Sequence, residues 1–195
     1  RKVAEWRREY MVQALREIIE LDNYDEVSLK ETLSMFKCTN CESEASRDVM
    51  HFLTEEAIEM EKAGITRTYL VLNDTEWKKG NIQIDGYFSI ALKVLYFAKD
   101  IEKDILEAIF DDSTRKNCPA YLIGQLARSE KSSKGSGVQI LTTALEYISE
   151  ASDIVGGRLI YLDCVPDKEQ YYKDNGFKIL QRKHNSNLIQ MYRVL

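Results

Sequence analysis

Proline, glycine, cysteine and histidine are all scarce in this chain of 195 residues, with two, nine, four and two copies respectively. So little proline and glycine excludes collagen-like and low-complexity architectures and leaves long, uninterrupted helical and extended patterns. Four cysteines are too few for a disulfide scaffold at this length. Cys38 and Cys41 form a lone C-x-x-C pair, and the remaining soft ligands, Cys118, Cys164, His51 and His184, are not spaced as a second half-site. No metal is expected, and the pair reads as ordinary thiols. No apolar run reaches the roughly 18 to 20 residues that cross a bilayer. No charged-then-apolar leader opens the chain at Arg1, so a cytoplasmic protein with no membrane partner is expected. The formal net charge is -5, whereas wholesale nucleic-acid binding needs a dense basic surface. Only local basic clusters stand out: Arg1, Lys2, Arg7 and Arg8, and then Lys178, Arg182, Lys183 and His184.

What the chain does hold is apolar material, 44% of its residues, in alternating helical and extended patterns that imply mixed α and β structure in one domain. Residues 3–20 set Trp6, Tyr10, Ala14, Leu15 and Ile18 on one side of a helix. The expected organisation is therefore a helical extension over residues 1–35 and a single domain over 36–195. A second helix starts near Ser46, carries Val49, Leu53, Ala57 and Met60, and stops at Gly64. Thr68–Leu72 and Ile82–Phe97 read as a long antiparallel hairpin across the polar stretch Asn73–Asn81. A short helix around Ile101, Ile105 and Ile109 precedes a strand at Ala120–Ala127. The stripe Val138, Leu141, Ala144, Leu145 and Ile148 is then helical, and Arg158–Cys164 is extended. Strand, glycine loop, helix and strand make a crossover unit whose two strands should be parallel. Pro166 opens a short helix that Gly176 closes, and Phe177–Gln181 and Leu188–Val194 are the last strands.

The segment Lys131-Ser132-Ser133-Lys134-Gly135-Ser136-Gly137 lies between a strand and a helix. A glycine- and serine-rich backbone there can turn its N–H groups inward, and the helix adds its positive end, which suits a pyrophosphate. Glycines that merely permit a tight turn would give the same pattern. Downstream stands Tyr171-Tyr172-Lys173-Asp174-Asn175-Gly176-Phe177.

That segment resembles the FYxxxGF signature of the GNAT N-acetyltransferases, and Gly135-x-Gly137 resembles the same family's CoA loop, Q/R-x-x-G-x-G/A. Phe36-x-Cys38, Phe52-Leu53, Arg67-Thr68-Tyr69 and Gly86-Tyr87-Phe88-Ser89 resemble the first half of a branch that includes toxin-type acetyltransferases. The likeness spans about Phe36 to Leu195. Ser132 stands where the family has Gln or Arg, the stretch from Leu126 to Gly135 is one residue short, and the Asn and Ala that often precede the tyrosine are missing.

The resemblance implies an α/β fold of the GNAT acyl-CoA N-acyltransferase type: a central, mostly antiparallel sheet with two splayed parallel strands, flanked by helices. It implies acetyl-CoA as cosubstrate and an amine as acceptor. Leu126, Ala127 and Arg128 would bind the pantetheine arm through their main chain, and Lys134, Gly135, Ser136 and Gly137 the pyrophosphate. Tyr172, rather than Tyr171, would protonate the leaving sulfur as general acid. Glu130 and Asp163 are candidate bases, with neither assigned. Cys164 is a conceivable acyl nucleophile, although direct transfer is simpler. Tyr87, Phe88, Tyr96 and Phe97 are read as mostly structural. A toxin-like subtype acting on aminoacyl-tRNA, a non-catalytic CoA-binding or interaction module, and a homodimer are the alternatives left open.

Overall fold

The structure of the protein, a computed structural model, describes residues 10–39, 41–183 and 186–195. Its strands are β1 (Tyr10–Ala14), β2 (Arg67–Asn73), β3 (Ile84–Tyr96), β4 (Asn117–Arg128), β5 (Leu159–Cys164), β6 (Lys178–Arg182) and β7 (Ile189–Val194). They form one seven-stranded sheet in the order β1-β2-β3-β4-β5-β7-β6. The helices are α1 (Leu15–Ile19), α2 (Glu26–Ser34), α3 (Glu44–His51), α4 (Ala57–Lys62), α5 (Asp74–Lys78), α6 (Lys103–Phe110), α7 (Ser136–Val155) and α8 (Glu169–Asp174). The chain packs as two compact units, one running up to Ser89 and adding Gln125–Leu141, the other made of Ile90–Gly124 and Thr142–Leu195. Among the described residues no helix is long and apolar enough to cross a membrane.

In the first unit the largest departure from the sequence pattern is β1. Helical periodicity over residues 3–20 predicts a helix through Tyr10–Ala14, but that segment is a strand paired antiparallel with β2, from Tyr10↔Asn73 to Ala14↔Tyr69. Tyr10, Met11 and Val12 are β-prone residues, and pairing with β2 satisfies their backbone groups, so tertiary context overrides a weak local preference. Helix starts only at Leu15, which is fully buried. Trp6, Arg7 and Arg8 lie outside the described residues.

The helix expected from about Ser46 begins two residues earlier, at Glu44, while its stop at Gly64 is as read. Ser43 caps α3 by accepting from the Ser46 N–H at 3.2 Å, and Gly64 takes φ 67° just after α4. Between α3 and α4 a π-helical turn, Phe52–Glu56, adds an irregularity that periodicity alone does not show. The polar stretch after β2 also holds more structure than a turn: Asn73 accepts from the Glu76 N–H at 3.0 Å and starts the one-turn helix α5. Leu15, Leu33, Phe36, Leu53, Ala57, Leu70 and Tyr87 fill this unit's core. The Tyr87 hydroxyl donates to the Val49 carbonyl at 2.5 Å, and its ring takes the edge of Phe36 at 5.5 Å, so this aromatic is structural. Phe88 is likewise fully buried and stacks on Tyr69 at 5.0 Å. Glu61 is buried with its charge answered, one oxygen accepting from Arg67 Nη1 at 2.9 Å and the other from the Thr68 N–H at 2.7 Å.

In the second unit β4 and β5 are parallel, in register at Tyr121↔Ile160 and Leu122↔Tyr161. β7 pairs antiparallel with β5 from Leu159↔Val194 to Cys164↔Ile189, and β6 pairs with the other edge of β7 through a register shift between Ile179 and Gln181. Leu95, Ile109, Cys118, Ala120, Leu159 and Leu180 make its core, with Phe97 and Phe110 packed against it at 5.7 Å ring separation. Tyr96, by contrast, is 69% exposed. α7 closes as the glycine pair predicts: Gly156 and Gly157 both take positive φ, and the Tyr121 hydroxyl donates to the Gly156 carbonyl at 2.6 Å.

Candidate active site

Of the eight residues expected to bind the cosubstrate or act as general acid, the seven cosubstrate-binding ones belong to the first unit. Leu126, Ala127 and Arg128 end β4, where Ala127 is buried and its two neighbours are half-buried, as alternation along a strand requires. The parallel pairing with β5 stops at Leu122↔Tyr161 while β4 runs on to Arg128. Beyond Arg128 the chain is anchored at two points: the Ser129 N–H donates to the Asp85 carbonyl at 2.8 Å, and the Glu130 N–H donates to the Lys37 carbonyl at 2.9 Å. Cys38 and Ser129 form an isolated antiparallel bridge alongside.

The loop then folds onto itself through its serines. The Ser132 N–H and hydroxyl both donate to the Ser129 carbonyl, at 3.2 and 2.7 Å, and the Lys131 N–H donates to Ser129 Oγ at 3.2 Å. The Ser136 N–H and hydroxyl donate to the Ser133 carbonyl. Gly135 sits at φ 97° with open space where a Cβ would be, so glycine is required there by backbone conformation and not by crowding. The Val138 N–H returns to the Gly135 carbonyl at 3.0 Å. The main-chain N–H groups of Ser133, Lys134, Gly135 and Gly137 have no partner among the described residues. They stand at the N-terminal end of α7, a helix of 20 residues. Open donors and a helix N-terminus together favour an anion, and Lys131 and Lys134 are both exposed beside them.

Tyr172 is in the second unit. Pro166 opens a 3₁₀ turn that leads into α8, and the Phe177 N–H returns to the Tyr172 carbonyl at 3.0 Å across Gly176, whose φ is 84°. The glycine of the motif thus makes the tight exit, and the buried phenylalanine fixes the tyrosine: the rings of Phe177 and Tyr172 meet edge-on at 5.7 Å. Tyr171 touches Tyr172 from the other side at 5.0 Å. Burial drives the Tyr172 phenol well above the usual tyrosine range, with smaller contributions from Tyr171 and Cys164. The Tyr171 phenol is pushed up to about 12 by burial, and its buried hydroxyl has no hydrogen-bond partner among the described residues. Arg193 was not foreseen from the sequence. Its Nη1 donates to the Asn175 carbonyl at 2.9 Å, while Asn175 Nδ2 donates to the Tyr171 carbonyl at 2.7 Å, so β7 pins the exit of the helix that carries both tyrosines.

No protein-family model and no curated relative matches this sequence. Solved structures do. AtaT complexed with acetyl-methionyl-tRNAfMet superposes with a TM-score of 0.65 at 20% identity, covering 93% of this chain and 93% of that one. A tyrosine-to-phenylalanine mutant of the AtaT toxin, bound to the C-terminus of the antitoxin AtaR and to acetyl-CoA, gives 0.64 at 20% identity over 93% and 92% of the two chains. A tyrosine-to-phenylalanine mutant of KacT gives 0.65 at 18% identity over 93% and 94%. The chain has the GNAT acetyltransferase fold. At these identities the likeness establishes the fold, and the mixed sheet with its parallel pair agrees with it.

Within this GNAT fold the candidate bases and nucleophile find contrasting surroundings. Asp163 is engaged, with Oδ2 2.5 Å from Lys183 Nζ and Oδ1 accepting from Gln190 Nε2 at 3.0 Å. Glu130 is exposed. Cys164 is buried, with its Sγ 3.5 Å from Met191 Sδ, and burial first, then the charges of Glu169 and Asp163, push its thiol up to about 11. A thiol so protonated at neutral pH is a poor nucleophile. Cys38 is buried and pushed up to about 11 by the same desolvation, whereas Cys41 is exposed. Among the described residues no group of three or more His, Cys, Asp or Glu is placed to hold a metal ion.

Proposed function

We propose that this chain is an acetyl-CoA-dependent N-acetyltransferase that acetylates a primary amine by direct transfer. The observation that carries the reading is the set of open N–H groups at Ser133, Lys134, Gly135 and Gly137 on the leading end of α7, which fits a pyrophosphate in charge and in hydrogen-bonding capacity. In this reading Lys134 adds charge, Ser136 shapes the loop, and Leu126, Ala127 and Arg128 hold the pantetheine arm through their main chain. A main-chain N–H near Ala127 polarises the thioester carbonyl, a fixed donor that needs no reorganisation. The amine nitrogen attacks the carbonyl carbon and the C–N bond forms. The tetrahedral species collapses with cleavage of the C–S bond, the departing thiolate takes the phenolic proton of Tyr172, and the proton shed by the nitrogen passes through water and restores the phenol. The raised phenol pKa keeps Tyr172 protonated throughout the neutral range, so the acid form is always present.

The acceptor we favour is the α-amine of an aminoacyl-tRNA, in a cytoplasmic setting. Two considerations support it. Structural neighbours spanning nearly the whole chain include AtaT with acetyl-methionyl-tRNAfMet. An α-amine titrates near 7.7–8.0, against about 10.4 for a lysine, so a large neutral fraction exists without a strong base, and Asp163 is already engaged by Lys183 and Gln190. Incubation with charged tRNA and labelled acetyl-CoA tests this. Label on the aminoacyl group is the expected result, and label found only on small amines or peptides would replace the acceptor while keeping the enzyme. Ser132, in the place of the family's Gln or Arg, favours a second reading as a non-catalytic GNAT-like module. Calorimetric titration with CoA separates the two: micromolar binding is expected of the enzyme, and no detectable heat would sink the acetyl-CoA assignment.

A further inference from the structure

The helix that carries Tyr172 is too short to hold itself. α8 has six residues, Glu169–Asp174, and isolated helices shorter than about 12–15 residues are marginal in water. The place of its last turn therefore depends on what grips it from outside. Among the described residues, two strand side chains hydrogen-bond to α8 or to its exit. Arg182 of β6 lies 3.3 Å from Glu169 in the first turn, but its side chain is 63% exposed, and exposed ion pairs are worth little. Arg193 of β7, which is half-buried, grips the other end: its Nη1 donates to the Asn175 carbonyl at 2.9 Å.

The bonds of that exit converge on the two tyrosines. Asn175 Nδ2 donates to the Tyr171 carbonyl at 2.7 Å. The Tyr172 carbonyl accepts twice, from the Asn175 N–H at 3.1 Å and from the Phe177 N–H at 3.0 Å. A helix leaves its last carbonyls without intrahelical partners, and here Asn175 and the turn through Gly176 supply them. Asn175 is thus bonded to both tyrosine carbonyls and to Arg193. Gly176 completes the fit, because a Cβ there would come within 3.3 Å of Arg193 Nη1, so the guanidinium fills the space that glycine leaves. β7 is an interior strand, paired with β5 at Ile160↔Arg193 on one side and with β6 on the other, which makes it a firm mount. A guanidinium bond is charge-assisted and stronger than a neutral one.

We propose that Arg193 is a positioning residue for the acid step: through Asn175 it fixes the last turn of α8, and with it the phenol of Tyr172. This rests on the reading of Tyr172 as general acid. Proton transfer demands close placement of the acid, and a misplacement of about 1 Å can cost on the order of 10²-fold. Arg193 therefore acts on the rate of that step and not on acetyl-CoA binding, which is assigned to the Ser133–Gly137 loop.

The test is a double-mutant cycle on the full chain, with label from acetyl-CoA counted on charged tRNA or, where tRNA takes none, on the small amine or peptide that does. Arg193→Met should lower kcat about tenfold while the KM for acetyl-CoA stays within about twofold. Arg193→Lys, which keeps one charged donor, should recover most of the loss. In a Tyr172→Phe background Arg193→Met should change kcat by less than about twofold, because the group it positions is gone. Arg182→Gln, which cuts only the exposed tether, should leave kcat unaltered. Asn175→Ala leaves β7 whole, carries the same expectations as Arg193→Met, and takes its place in the cycle if that variant does not fold. Full additivity with Tyr172→Phe, a loss confined to KM or to Tm, or an equal loss in Arg182→Gln would overturn the inference and leave Tyr172 as the acid. Wild-type kcat in Tyr172→Phe, or no label on any acceptor, would remove the acid reading and this inference together.

Discussion

Gly86 on β3 lies so close to Ala127 on β4 that a Cβ carried by Gly86 would sit 2.7 Å from the Ala127 carbonyl oxygen, and 2.2 Å from Cδ1 of Ile140 on α7. The missing side chain is what lets β3, β4 and the first turns of α7 close around the end of β4. Gly86→Ala forces backbone and helix apart, and overpacking of this kind costs about 1–3 kcal/mol. Urea denaturation should show that loss. Acetyl-transfer kcat/KM should fall further than the stability change accounts for, because the strand that moves is the one proposed to hold the thioester. A Gly86→Ala protein with unaltered kcat/KM would detach Ala127 from the reaction.

The two adjacent tyrosines should behave in opposite ways. Tyr172→Phe removes the proposed acid and should lower kcat by on the order of 10²-fold with little change in CoA affinity. Tyr171→Phe removes a buried hydroxyl that has no partner among the described residues, and relief of that desolvation should raise stability by about 1 kcal/mol while activity stays within roughly twofold. Thermal melts and steady-state kinetics on the pair settle the assignment; the reverse pattern would transfer the acid role to Tyr171.

Alkaline stability follows from the same burial. Tyr87, Tyr171 and Tyr172 all have phenols raised above the ordinary value of 10.0, in each case with desolvation as the leading cause. The folded state therefore keeps protons that the unfolded state releases. The stabilisation is fully present below pH 10 and is lost as pH rises through the folded values. Chemical denaturation between pH 9 and 11.5 should show stability falling with pH, and the Tyr171→Phe, Tyr172→Phe double variant should show a shallower fall. Over the neutral range kcat should carry no limb from ionisation of Tyr172.

Gly135 tests the loop without touching any side-chain chemistry. With nothing within 4 Å of its absent Cβ, Gly135→Ala meets only the penalty of φ 97°, about 1–2 kcal/mol locally. The expected outcome is a KM for acetyl-CoA raised several-fold with a small drop in Tm. An unchanged KM would remove the loop from cosubstrate binding.

Much of this architecture is readable before any coordinates. The stripe from Val138 to Ile148 and the apolar runs of β3, β4 and β5 are strong because each buries a face, so periodicity and burial agree. β1 follows a helical spacing in sequence because Tyr10 and Ala14 fit a helix as well as a strand; only the edge of β2 decides between them, and that edge is remote in sequence. The π turn at Phe52–Glu56 and the one-turn helix α5 are set by local hydrogen bonds that leave no periodic trace. Gly86 carried a signal, a lone glycine inside a strand pattern, which marks a close backbone approach. Arg193 carried none, since its carbonyl partner on Asn175 lies 18 positions away and has no side-chain signature.

The candidate cradle at Ser133–Gly137 offers its ligand peptide N–H groups rather than side chains, and only Gly135 is fixed in identity by its backbone angle. Lys134 can change without moving a donor, whereas Ser136 holds the loop through its hydroxyl on the Ser133 carbonyl. A lineage that stores recognition in peptide geometry can drift until side-chain patterns no longer betray its kinship, and the shape of the loop then outlives its spelling.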